Sequence, residues 1–339
     1  MQEKYRKITR KDVAREAGVT ETIVSYVINN NRYVDKEKRK RVEEAIKKLH
    51  YRPNTIARAL KGKKLNNIVF IADQIDTEHF SILMSELDKY AYDLGYVISL
   101  CANRNTQEFV DGIISRQYDG VIISSISFPK EFIQQFIRAG IPVMLLVNRD
   151  YDDIEGAGKI NTGLYPGMRE SVRYLVSLGR RNIIYIDRYS QRGHFSNRED
   201  MRYRGFVEEM KECGISQNPE KCVITGCRDA GQVKERVIEY LRCHGVDAIC
   251  GRNDRMACIA MQAVQSQGYT IPKDIAVVGF DNATVGQFSV PPLTTMEIQR
   301  RRIAETTIRM LRLMIEEGKV PEEVAYPTNL IIRESTRGF

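Results

Sequence analysis

Glu21, Thr22, Ser25 and Tyr26 bring a carboxylate, two hydroxyls and a phenol to neighbouring positions, spaced to lie on the outward side of one helix. Such groups accept and donate hydrogen bonds, but no base stands beside a nucleophile, so their chemistry is recognition and not bond breaking. Polar side chains near the start of a helix are the ones that meet base edges in the major groove of DNA. The surrounding residues supply that helix. Thr20 is placed to accept a backbone hydrogen bond as its N-cap, and Gly18 falls where the preceding helix needs a left-handed residue to end. Thr9 and Asp12 have the spacing of a capping box, so a first helix is predicted to begin near Arg10. Val13, Ala14 and Ala17, then Val24, Val27 and Ile28, give each helix one apolar stripe, and Ala14 is small enough for close backbone approach. This is the pattern of a helix-turn-helix; the bland alternative is an αα-hairpin buried in a helical domain. Thr9, Thr20, Glu21, Thr22, Ser25, Tyr26 and Asn29 are the expected contacts to a double-stranded DNA partner.

Charge favours the DNA reading. Residues 1–64 hold 19 Lys plus Arg against 8 Asp plus Glu, and the remaining 275 hold 33 against 36, so the whole excess of +8 sits at the front. A basic module ahead of a near-neutral body fits phosphate contacts, whose affinity falls with salt. Lys36 to Arg41 also forms the solvated face of a third helix, predicted to start at Asp35 and to bury Val42, Ala45, Ile46 and Leu49.

At Tyr51-Arg52-Pro53-Asn54-Thr55-Ile56-Ala57-Arg58-Ala59-Leu60 the chain resembles the LacI/GalR family of bacterial transcriptional regulators. The resemblance implies a hinge that becomes helical on the operator, with Leu60 as a wedge in the minor groove, Ala57 beside it, and Asn54 and Lys61 as further contacts. A helix of about two turns is marginal alone and forms when docked, and an apolar wedge exchanges unstacking energy for a bend that brings more protein onto the DNA. Four later strings carry the resemblance through the chain: Asn253-Asp254-Arg255-Met256-Ala257, Val277-Val278-Gly279-Phe280-Asp281-Asn282, Pro291-Pro292-Leu293-Thr294-Thr295 and Arg333-Glu334-Ser335-Thr336.

The implied fold is α/β: an N-terminal three-helix helix-turn-helix domain (1–52), a hinge helix and linker (53–64), and a periplasmic-binding-protein-like body of two Rossmann-like subdomains (65–339). The first subdomain is expected over about 65–163 plus 295–325 and the second over 164–294 plus 326–339. Independently, apolar runs at 68–72, 96–100, 120–123, 142–147, 183–186, 246–250 and 276–280 read as buried parallel strands alternating with amphipathic helices. Ligands in such sheets bind beyond the carboxyl ends of the strands. Transferred residue by residue, the resemblance implies an effector site of His79, Phe80, Ser124, Ser125, Arg149, Arg202, Asn253, Asp254 and Asp281, with Arg202 heading Arg-Tyr-Arg-Gly-Phe. The resemblance implies a small polar metabolite as effector, such as a sugar or sugar phosphate, acting either as inducer or as corepressor.

The chain departs from the family pattern in places. Ile160-Asn161-Thr162-Gly163 lacks the usual acidic residue, and Asp73 to Phe80 lacks the usual asparagine-proline pair, so a neutral sugar is less secure and Arg149 with Arg202 suits an anionic metabolite. Tyr26 replaces an arginine that would read guanine, and Glu21 can accept from cytosine, so the operator should differ from the common ones.

Other classes fit poorly. Gly156-Ala157-Gly158-Lys159 lies outside the strand-to-helix context of a phosphate loop, and no nucleophile-base pairing indicates an enzyme. The seven cysteines lack zinc spacing and read as reduced core thiols, with Cys222 and Cys227 as a remote redox alternative; the four histidines do not cluster. No metal or cofactor is expected. The N-terminus is charged from Glu3 with no apolar core of a signal peptide, and no run is long enough to span a membrane, so a cytoplasmic location is expected, while the resemblance implies a homodimer paired through the bodies. A transport-type solute-binding protein shares the body but would carry an export signal in place of residues 1–64.

Overall fold

The computed structural model describes residues 8–52 and 65–337, which fall into two compact units, a head ending at Leu65 and a body from Asn66 onward. In the head, α1 (Arg10–Ala17), α2 (Glu21–Asn29) and α3 (Lys36–Lys48) form as their caps dictate. Thr9 and Asp12 close a capping box, Gly18 ends α1 at φ 63°, and Thr20 accepts from the Ile23 N–H. Asp35 caps α3 through the N–H groups of Glu37 and Lys38. Val13, Ala14, Ala17, Val24, Val27, Val34, Val42, Ala45 and Tyr51 make the core, with Ile28, Ile46 and Leu49 half-buried at its margin. That core orients α2; the Glu16–Lys48 ion pair at 2.5 Å is exposed and adds little.

The body holds two six-stranded sheets built on one plan. The first contains β1 (Asn67–Ala72), β2 (Val97–Ala102), β3 (Gly120–Ser124), β4 (Val143–Val147), β5 (Gly158–Asn161) and β11 (Val324–Ala325), in the order β11-β5-β4-β3-β1-β2. The second contains β6 (Ile183–Ile186), β7 (Val223–Ile224), β8 (Ala248–Gly251), β9 (Ala276–Phe280), β10 (Thr294–Glu297) and β12 (Asn329–Ile331), in the order β12-β10-β9-β8-β6-β7. All pairings are parallel except β10 with β12. Each sheet reverses its strand order once, between β1 and β3 and between β6 and β8, and such a reversal opens a crevice at the carboxyl ends of the strands.

The apolar runs form strands as predicted, with one exception in burial. β2 is an edge strand, with Val97 60% exposed, because only one neighbour covers it. The helices that matter for the site are α4 (Glu78–Asp93) and α12 (Arg300–Glu317) on the first sheet, and α7 (Leu164–Ser177), α8 (Met201–Glu212) and α10 (Asp254–Ser266) on the second. Faces of both sheets and α4, α7, α8 and α12 share one apolar cluster from Ile68 and Phe70 through Leu87 and Met168 to Tyr185, Phe280 and Leu311, while α10 packs in a separate cluster with Ile184, Ile249 and Val277.

The chain crosses between sheets after β5, after β10 and after β11. The expected crossing at residue 295 is therefore corrected: β10 pairs with β9 in the second sheet, and the chain leaves it only beyond Glu297. Gly163, at φ 77°, lies in the first crossing; a Cβ there would come within 2.5 Å of the Tyr326 carbonyl in the third, so the two strands of the crossing touch only because it is glycine. Among the described residues no helix is long and apolar enough to cross a membrane.

Candidate functional site

On the head, the predicted contact residues separate into two groups. The Thr9 hydroxyl is committed to Asp12 and that of Thr20 to the Ile23 N–H, so both serve first as caps. Asn29 is turned back on its own helix, its amide donating to the Ser25 carbonyl and hydroxyl at 2.8 and 3.1 Å. Tyr26 is half-buried, packed on the core with the Arg32 guanidinium 5.3 Å from its ring centroid. Glu21 and Thr22 remain exposed in the first turn of α2, and their side chains make no hydrogen bond among the described residues. Asn54, Ala57, Leu60 and Lys61 lie outside the described residues.

In the body, the two strand-order reversals face one another across a partly enclosed cavity of about 70 Å³. Asp73 and Ser124 reach it from β1 and β3, Arg188 and Arg252 from β6 and β8, Arg202 from α8, Asn253 from the start of α10, Asp281 from β9 and Arg300 from the start of α12. His79 and Phe80 enter from the first turn of α4 with their rings edge to face at 5.1 Å. Apolar walls come from Leu83, Leu146, Leu164, Ile298 and Ile303. A chamber with apolar walls and converging polar groups is what small-ligand sites look like.

The polar groups form a chain of pairs. The Arg202 guanidinium donates to Asp281 at 3.1 Å and stacks over the Phe280 ring at 4.8 Å. Arg188 donates to Asp73 at 3.2 Å and to the His194 carbonyl at 2.5 Å. Arg252 donates to Asp200, the N-cap of α8, and to the Ser196 hydroxyl. Burial opposes the charge of Asp73, but Arg188, the Ser125 and Ser127 hydroxyls and the Ile126 N–H hold its carboxyl below the usual range. Burial, with the nearby Arg300 and Arg202 cations, lowers His79 to about 4 against the pull of Asp281, so His79 is neutral at pH 7. Its approach to Asp281 at 3.8 Å is a dipolar contact and not an ion pair. Asp254 moves the other way: burial and the Asp281 charge raise it to about 7, opposed by bonds from Thr295 and the Ala283 N–H.

Six of the nine transferred residues line the cavity: His79, Phe80, Ser124, Arg202, Asn253 and Asp281. The other three do not line it. Ser125 lies one residue past β3 and is fully buried; its hydroxyl donates to Asp73 and accepts the N–H groups of Ser127 and Phe128. Arg149 donates to the carbonyls of Ile126 and Phe128 and lies 3.6 Å from Glu199, so it staples a loop outside the cavity. Asp254 is buried beneath the start of α10, accepting from Thr295 and Ala283, and borders a neighbouring groove with Asp76, Glu78 and Arg255. Sequence reasoning missed Asp73, Arg188, Arg252 and Arg300. Asp73 and Arg252 sit immediately after β1 and β8, a signal that strand-end position alone could have supplied.

The two halves are bonded across the cleft. Besides Asp73–Arg188, the Gln74 amide donates to the Tyr189 carbonyl at 3.2 Å, the Met201 N–H to the Asn148 carbonyl at 3.1 Å, and the Thr284 N–H to Glu78 at 2.9 Å. A ligand taken into the cavity thus competes with or reinforces bonds that set how the halves close.

Residues 9–54 match the family model of bacterial regulatory proteins, lacI family, and residues 172–336 match that of a periplasmic binding protein-like domain. The chain is 29% identical over 338 residues to the HTH-type transcriptional repressor PurR of Histophilus somni (strain 129Pt), covering 97% of this chain and 99% of the relative. It is likewise 29% identical over 338 residues to the PurR of Pasteurella multocida (strain Pm70), covering 97% and 98%. The fold matches the lac repressor dimer bound to operator and the anti-inducer ONPF with a TM-score of 0.82 at 25% identity, over 98% of this chain and 100% of that one. A LacI family regulator from Enterococcus faecium with bound ribose shares the fold at a TM-score of 0.68 and 21% identity, over 80% and 98%. With a head of the first family joined to a body of the second along nearly the whole length of these repressors, the chain belongs to the LacI/GalR family of bacterial transcriptional regulators, which bind DNA and are not enzymes.

Proposed function

We propose that the chain is a cytoplasmic repressor that binds a pseudo-palindromic operator as a homodimer and changes its grip when a small polar effector occupies the cavity between the two sheets. One observation carries this reading: a buried chamber lined by Arg202, Asp281 and Asn253 at the facing strand-order reversals, in the same chain as a capped recognition helix with Glu21 and Thr22 exposed. The likeness to the lac repressor dimer on its operator supports the dimer and the DNA partner. A two-fold pair of recognition helices reads half-sites about one helical turn apart, which accounts for the expected palindrome. An effector acts through its difference in affinity for the two closures of the body, and that difference sets the size of the change at the DNA.

The test is to select a binding duplex from random sequence and then measure its affinity while screening metabolites that stabilise the protein. A compound that shifts the melt should also shift DNA affinity, and Arg202→Met should abolish both effects. Stabilisation without any change at the DNA would leave a binding protein whose cleft does not control its head.

A further inference from the structure

We propose that the effector is an anion, a small metabolite whose carboxylate or phosphoryl oxygens are held by Arg188, Arg202 and Arg300. This rests on the reading of the cavity as the effector site and adds the charge class that the site selects.

The first ground is a charge left over after pairing. Four arginines line the cavity, Arg188, Arg202, Arg252 and Arg300, against two carboxylates, Asp73 and Asp281. Arg252 is matched by Asp200 behind it and Arg202 by Asp281. Arg188 shares Asp73 with four other donors, the Ser125 and Ser127 hydroxyls, the Ile126 N–H and the Asn103 amide, so that carboxylate is saturated without it. Arg300 makes no ion pair among the described residues; its guanidinium donates to the main-chain carbonyl of Asp281. With His79 neutral, the lining carries an excess of positive charge, and an enclosed cation is costly until something neutralises it.

The second ground is the kind of hydrogen bond on offer. Nη2 of Arg188, Nε of Arg202 and Nε of Arg300 are buried and have no hydrogen-bond partner among the described residues, and Arg188 and Arg202 are 6% and 7% exposed as whole residues. A guanidinium only donates. A neutral polyol brings a donor with every oxygen and needs acceptors in return, whereas Asp73 is taken up by Arg188 and the residues around it and Oδ1 of Asp281 by Arg202. An oxyanion brings acceptors alone and takes charge-assisted bonds from a fork of guanidinium groups. The Ile160-Asn161-Thr162-Gly163 segment points the same way: Thr162 lines the cavity through its residue, and no carboxylate stands at that crossing to receive sugar hydroxyls.

Calorimetric titration of the full chain at fixed ionic strength, with inorganic phosphate and acetate as probes and with ribose and glucose as neutral counterparts, tests this. The proposal predicts saturable binding of phosphate, acetate or both, at least about tenfold weaker in Arg300→Gln and in Arg188→Gln, and largely kept in Arg300→Lys. Which of the two anions binds tighter tells a phosphoryl from a carboxylate group. The basic head also attracts phosphate, so the comparison of variants with unchanged melting temperature, and not the raw heat, is the readout. Anion binding unaltered in both Gln variants overturns the proposal. Saturable binding of a sugar with none of the anions overturns the anion class but leaves the cavity an effector site, provided Arg202→Met removes it. Binding of neither panel overturns both.

Discussion

Two buried groups that both feel the Asp281 charge titrate in opposite senses, and separating them exposes each. Asp254 in the fold titrates near 7 against 3.8 unfolded, because burial and the Asp281 charge disfavour its ionised form. Its contribution to stability is complete below pH 3.8 and is lost as the pH rises to about 7. His79 titrates near 4 against 6.5 unfolded, chiefly from burial and then from Arg300 and Arg202. Its contribution is complete above pH 6.5 and is lost as the pH falls to about 4. Each group alone imposes a slope of about 1.4 kcal/mol per pH unit, and between pH 4 and 6.5 the two slopes cancel. Asp254→Asn should therefore leave the His79 slope uncovered, so that stability falls by about 3 kcal/mol from pH 6.5 to 4 relative to the parent. His79→Asn should leave the Asp254 slope, so that stability falls by about 3 kcal/mol as the pH rises from 4 to 6.5, again relative to the parent. Urea unfolding of the full chain at half-unit pH intervals measures both. Parallel pH profiles for the parent and the two variants would refute the reasoning.

Three further predictions follow from single contacts. Gly163→Ala puts a methyl at φ 77° against the Tyr326 carbonyl and should lower the melting temperature of the body by about 5 °C or more, from a strain of 1–3 kcal/mol plus the clash; a loss under one degree means the crossing relaxes freely. Arg252→Met strands the buried Asp200 carboxylate and should destabilise by about 3–5 kcal/mol in urea, with Asp200→Asn in the same chain restoring part of it; additive losses would show that the pair does not interact. Glu21→Ala should change the base preferred at one position of each half-site more than it changes non-specific affinity, as read by selection from random duplexes. Tyr26→Ala should do the same with an added loss of head stability, because its ring is half-buried.

The elements were legible in the sequence wherever one residue's local chemistry decides the backbone. Thr9, Asp12, Gly18, Thr20 and Asp35 each satisfy or end a helix terminus with groups a few residues away, and they act as their spacing predicts. The central strands were equally plain, since burial on both faces makes them continuous apolar runs. β7, β11 and β12 are two or three residues long and carry no periodicity to read. Site residues divide on the same line. Arg202 and Asp281 stand in recognisable strings, whereas Arg188 and Arg300 lie in segments with several other arginines, and only the meeting of β6 with the crossing after β10 separates them from surface charge. Ser125 and Arg149 do not line the cavity because proximity to a strand end does not say which way a side chain turns: Asp73 and two loop N–H groups hold the Ser125 hydroxyl, and two loop carbonyls capture the Arg149 guanidinium.

The central claim is that occupancy of the cavity sets the affinity of the head for DNA. Fluorescence anisotropy of the full chain on its selected duplex, with and without a compound that stabilises the protein, measures that coupling directly. The account predicts a change in Kd of about fivefold or more, the usual scale of such coupling, that vanishes in Arg202→Met while the variant still binds the duplex. An identical Kd with the cavity filled and empty would contradict it.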